Sequence, residues 1–62
     1  MSDQDVIRKA YSEQLAAVYR TFVDAFEHAE GDADKEQQAK DRFKAGVVHS
    51  RKMRDLALGL FP

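Results

Sequence analysis

A chain of 62 residues with no cysteine makes one domain at most, and neither a disulfide nor a thiolate zinc site can supplement a core that small. Ten Lys and Arg nearly balance eleven Asp and Glu for a net charge of −1, without the basic surplus of a typical nucleic-acid-binding domain. No apolar run approaches the roughly 20 residues of a membrane span, and the start Met1-Ser2-Asp3-Gln4-Asp5 is acidic where a secretory signal would be basic and then apolar, so the expected setting is the cytoplasm.

Ser2 followed by Asp5 is a variant of the capping box, a hydroxyl accepting from an orphan backbone N–H with a carboxylate in the first turn. A helix is expected over about residues 3–30. Ile7, Tyr11, Leu15, Val18, Phe22, Ala25, Phe26 and Ala29 recur at spacings of three and four, which keeps them on one face. Tyr19, Val23 and Ala16 stand beside that row and widen the apolar arc to about half the circumference, more than one partner helix covers.

Gly31-Asp32 reads as the turn, about residues 31–32, with the glycine supplying a left-handed conformation and Asp32 or Asp34 capping the next helix. The second helix is expected over about residues 33–58, ending at Gly59 with Pro62 as a further stop. Two helices of matched length across so short a turn fold back antiparallel. The fold expected for residues 1–62 is a single all-α, antiparallel two-helix hairpin.

The second helix has a heptad seam of Ala39, Phe43, Gly46, Ser50, Met53, Ala57 and Leu60, four of them small. A mid-helix glycine costs about 1 kcal/mol relative to alanine unless packing returns it. Gly46 is therefore expected at a close contact, with Leu15, Val18, Phe22 and Phe26 supplying the bulk opposite. Val47, Val48 and Leu58 lie off the seam and leave this helix, too, with apolar surface to spare. The surplus on both helices points to a second copy and a homodimeric four-helix bundle, its packing positions being Leu15, Val18, Tyr19, Phe22, Val23, Phe26, Phe43, Gly46, Val47, Ser50, Met53 and Ala57.

Chemistry-bearing motifs are sparse. The Glu-x-x-His pairs of di-metal bundles are absent. In Glu27-His28-Ala29-Glu30 the histidine points about 100° from Glu27, and the only other imidazole, His49, falls opposite Leu15 and Ala16 in the hairpin register, far from His28. Ser2, Ser12 and Ser50 lack a nucleophile elbow or a suitably arranged base. The expectation is a non-enzymatic protein with no metal and no cofactor.

Charge is unevenly spread. Residues 1–36 hold nine acids against four bases, or −5, and residues 37–62 hold six bases against two acids, or +4. Lys40, Lys44, Arg51 and Arg54 fall within an arc of about 80° at 100° per residue, a stripe that could meet a phosphate backbone or form a solvated or interhelical charge face. Glu36–Lys40 and Arg51–Asp55 have the i, i+4 spacing of helix-stabilising pairs.

The acidic turn Gly31-Asp32-Ala33-Asp34, followed by Gln37 and Gln38, joins two helices within a similar chain length to that of the Rop family, small plasmid regulators of primer RNA that fold as antiparallel hairpin dimers. The chain resembles them in form. That resemblance implies a hairpin dimer and nucleic acid as an alternative partner. It carries over no binding residue, because the basic stripe here is on the second helix whereas Rop uses its paired first helices. The function expected is an interaction or accessory module acting through self-association and partner binding, with a nucleic-acid-binding regulator as the alternative.

Overall fold

A computed structural model describes residues 1–61. It comprises two α-helices that pack against each other, α1 (Asp3–His28) and α2 (Ala33–Gly59). Pro62, expected as a stop signal, lies outside the described residues.

Local chemistry explains where the helices begin. The Ser2 hydroxyl accepts from the Asp5 amide at 3.1 Å, and the Asp5 carboxylate accepts from the Ser2 amide at 3.2 Å, so two orphan donors are satisfied reciprocally. At the start of α2 a single Asp32 oxygen accepts from the amides of Asp34 and Lys35 at 3.0 and 3.1 Å. Asp34 and Glu36 add negative charge to that first turn, where the positive end of the helix dipole favours it.

The end of α1 differs from the expectation of a helix reaching about residue 30 and a turn at 31–32. The last helical residue is His28, Ala29 caps it, and both Glu30 (φ 50°) and Gly31 (φ 82°) are left-handed. The Asp32 amide then donates back to the Ala29 carbonyl at 2.9 Å. Reversing the chain this sharply while keeping Asp32 extended as a cap takes two consecutive positive-φ residues, and only one of them is a glycine. At the other end α2 runs through Gly59 before the Leu60 cap. Among the described residues no reversal comes after it, so nothing forces the helix to stop at the glycine.

The register is antiparallel throughout. Tyr11 meets Arg54, Val18 meets Gly46, Phe22 meets Phe43 and Phe26 meets Lys40. A Cβ added at Gly46 would lie 3.0 Å from Val18 Cγ1, so the glycine sits where the helices approach closely. Ser50 and Ala39, one and two turns away on the same seam, are buried. Phe43 fills the space between Tyr19 and Phe22, with ring centroids at 6.4 and 4.8 Å, within the range of favourable aromatic pairs. Leu60, the last seam position, is 75% exposed. The seam thus loses contact where α2 runs out.

Two helices side by side make one layer. The Cα envelope measures 45 × 17 × 6 Å, and a domain core ordinarily needs a second layer to close it. Among the described residues only Ala29, Ala39 and Ser50 are buried; every large apolar side chain keeps some exposure. The surface is 4900 Å², against about 4,100 Å² from the size scaling of compact monomers.

Candidate interaction surface

The hairpin presents two broad faces on either side of its helix–helix contact. Helical periodicity puts Leu15, Tyr19, Val23 and Phe26 of α1 on one, beside Val47 and Leu58 of α2. Leu15, Val23, Phe26, Val47 and Leu58 are half-buried, while Tyr19 is 57% exposed. This is the aromatic face.

The opposite face is lined by Gln14, Ala17, Thr21, Ala25 and Arg42, with Val18, Phe22 and Gly46 at the bottom of a shallow groove of about 350 Å³. The Thr21 hydroxyl donates to the Ala17 carbonyl at 3.1 Å, so it offers little to a ligand. Its rim is polar at Gln14, Thr21 and Arg42, and the rest of its lining, with Ala39 and Phe43, is apolar.

The remaining packing positions divide as the contact requires. Val18, Phe22, Phe43, Gly46 and Ala57 are half-buried and Ser50 is buried between the helices. Met53 is 40% exposed, on the small-residue side of the seam.

The basic stripe borders the aromatic face. Lys40, Lys44 and Arg51 are exposed and Arg54 is half-buried. Two of the four lean onto α1: the Lys40 ammonium is 5.9 Å from the Phe26 ring centroid and the Arg54 guanidinium carbon 4.5 Å from that of Tyr11, both cation–π geometries. Arg54 Nε also donates to Asp55 Oδ1 at 2.9 Å, the one ion pair among the described residues. That hydrogen bond, with the charge of Asp55 and a contribution from Tyr11, holds the guanidinium pKa above its ordinary value.

The two i, i+4 ion pairs read from the sequence are replaced. Asp55 takes Arg54 rather than Arg51, because Tyr11 fixes the guanidinium beside it. Lys40 lies over Phe26 rather than reaching Glu36, and Gln37 Nε2 donates to Asp41 Oδ1 at 3.0 Å one residue along. The cation–π contacts were missed in sequence, although the antiparallel register about Gly31 places each base beside its ring.

Both histidines are exposed. His28 Nδ1 donates to the Asp24 carbonyl at 2.6 Å, which ties up one ring nitrogen. Among the described residues no three His, Asp or Glu side chains converge as metal ligands. No helix is long and apolar enough to cross a membrane.

The fold and this surface define an all-helical two-helix hairpin whose large apolar side chains all stay partly exposed among the described residues. No family model, no curated protein and no solved structure matches the chain.

Proposed function

We propose that this chain is a non-enzymatic interaction module of the cytoplasm that pairs with a second copy to complete a four-helix bundle, and that its accessory role is exercised through such contacts. The carrying observation is the core that is left open: no large apolar side chain among the described residues is buried. Burial is worth roughly 25 cal/mol per Å² of apolar surface, so half-exposed Leu15, Val23, Phe26, Val47 and Leu58 leave stabilisation unrealised in a lone hairpin. The surface in excess of the compact-monomer scaling, about 800 Å², equals one side of a standard protein interface.

Folding coupled to pairing has a simple signature. The thermal midpoint should rise with chain concentration, because mass action favours the paired state. A midpoint constant across a hundredfold concentration range, with a cooperative transition, would overturn the reading.

A second reading rests on the alignment of Lys40, Lys44, Arg51 and Arg54 along one flank, of which Lys44 and Arg51 have no ion-pair partner among the described residues. Under it the chain is a nucleic-acid-binding regulator. The engagement of Lys40 with Phe26 and of Arg54 with Tyr11 and Asp55 weighs against it. A mobility shift with generic duplex DNA or RNA that weakens steeply with salt would favour this second reading; unchanged mobility at low salt would exclude it.

A further inference from the structure

We infer that the groove opposite the aromatic face is a binding site for a small amphipathic anion, an alkyl carboxylate whose chain lies along the groove and whose head sits at its turn end. This goes beyond the self-association proposed above, and it requires only that a second copy leave this side open.

The groove over Val18, Phe22 and Gly46 does not stop at Arg42. A second depression of about 340 Å³ adjoins it toward the turn, shares Ala25, Ala39 and Arg42 with it, and adds His28, Lys35 and Gln38. The two form one furrow with an apolar floor and a basic end. Each has a volume within the range of small-molecule sites. From Phe22, which meets Phe43 beside Arg42, to Gln14 the floor runs about 12 Å at 1.5 Å per residue, the reach of a medium-length alkyl chain.

Charge selects the head group. The chain has eleven acids against ten Lys and Arg, yet no carboxylate lines either depression, whereas Arg42, Lys35 and His28 do. Neither Arg42 nor Lys35 has an ion-pair partner among the described residues. Of the acids near them in sequence or space, Asp32 Oδ1 accepts from the Asp34 and Lys35 amides, and Asp24 meets His28 through its backbone carbonyl. A carboxylate at Arg42 accepts two parallel N–H bonds from the guanidinium, with the Lys35 ammonium bordering the same depression.

The rest of the lining selects the tail. Ala17, Ala25, Ala39 and Gly46 keep the furrow open down to Val18, Phe22 and Phe43, where an alkyl chain leaves water. Beyond Arg42 toward the chain termini the groove lining carries no further charge. Bases gathered at one end match a head-and-tail molecule; an acidic helix, whose charges would repeat turn by turn, finds no second base along the groove.

Decanoate, kept below its aggregation range, is the probe, and decanol is its uncharged counterpart. Titrated into isotope-labelled protein, decanoate should saturate at one molecule per chain. It should move the amide resonances of Thr21, Ala25, Ala39, Arg42 and Gly46 more than those of Tyr19, Val23 and Val47. Decanol should bind at least about fivefold more weakly, for want of the charge-assisted contacts. Lys35 and Arg42 are exposed, so Lys35→Gln with Arg42→Gln leaves the helices intact; the pair should bring decanoate down to the affinity of decanol and leave decanol unchanged. Equal affinity of the two probes for the parent chain would overturn the head-group assignment. A response that does not saturate, or that spreads evenly over both faces, would overturn the site. Decanoate that splits paired chains, read by sedimentation of the same samples, would put a second copy in the groove and overturn it as well. A folded monomer that binds decanoate saturably would sustain the site while contradicting self-association.

Discussion

Gly46 is the residue on which the helix–helix contact turns. Its hydrogen occupies the place where a Cβ would lie 3.0 Å from Val18 Cγ1, tighter than ordinary van der Waals contact. Gly46→Leu should therefore lower stability by about 1–3 kcal/mol, as overpacking does, despite the better helix propensity of leucine. Val18→Ala in the same chain should recover part of that loss, read by urea denaturation. A Gly46→Leu variant as stable as the parent would show that the helices do not touch there. The position was legible because a glycine inside an otherwise unbroken helical pattern asks for a packing reason, and a register counted from Gly31 puts Val18 opposite. Arg54 was not legible in the same way. Adjacent helical side chains diverge by about 100°, so spacing alone favoured Arg51 for Asp55, and only the Tyr11 ring beneath the guanidinium reverses that preference.

At the scale of the elements, both helix starts were readable and the end of α1 was not. Caps at an N-terminus are side-chain chemistry written into neighbouring residues: Ser2 with Asp5, and Asp32 with its two amides. Ser2→Ala and Asp32→Ala should each cost about 1 kcal/mol, measured as a fall in the denaturation midpoint. Asp32→Ala should cost the more, since one oxygen there serves two donors in the turn that sets the register of everything beyond it. Equal and negligible losses would mean that both ends fray in solution. The C-terminus of α1 depends on how sharply the chain must reverse, and this draws Glu30 into a left-handed conformation for which glutamate carries no local signal. Positive φ at a non-glycine residue is costly, and the cap at Asp32 and the Asp32–Ala29 hydrogen bond offset it.

At the scale of the whole molecule, the two-helix layer comes from pattern and turn, whereas its covering had to be argued from exposed surface. The breadth of the apolar arc on α1 was visible in Tyr19 and Val23 standing beside Leu15 and Phe26. What flanks the helix–helix contact emerges only when both helices are set in register, because the α2 seam of Ala39, Gly46 and Ser50 turns Lys40, Val47, Arg51 and Leu58 toward the aromatic face. A stripe that looks like a phosphate-binding surface on an isolated helix then becomes the rim of an apolar face, with two of its members drawn onto aromatic rings. The module proposed is therefore half an assembly, and its folding and its pairing are one equilibrium. Sedimentation equilibrium at low micromolar concentration tests this most directly. Coupled folding and pairing predict a helical species of twice the 7.1 kDa chain mass, and a well-folded species at 7.1 kDa would contradict them.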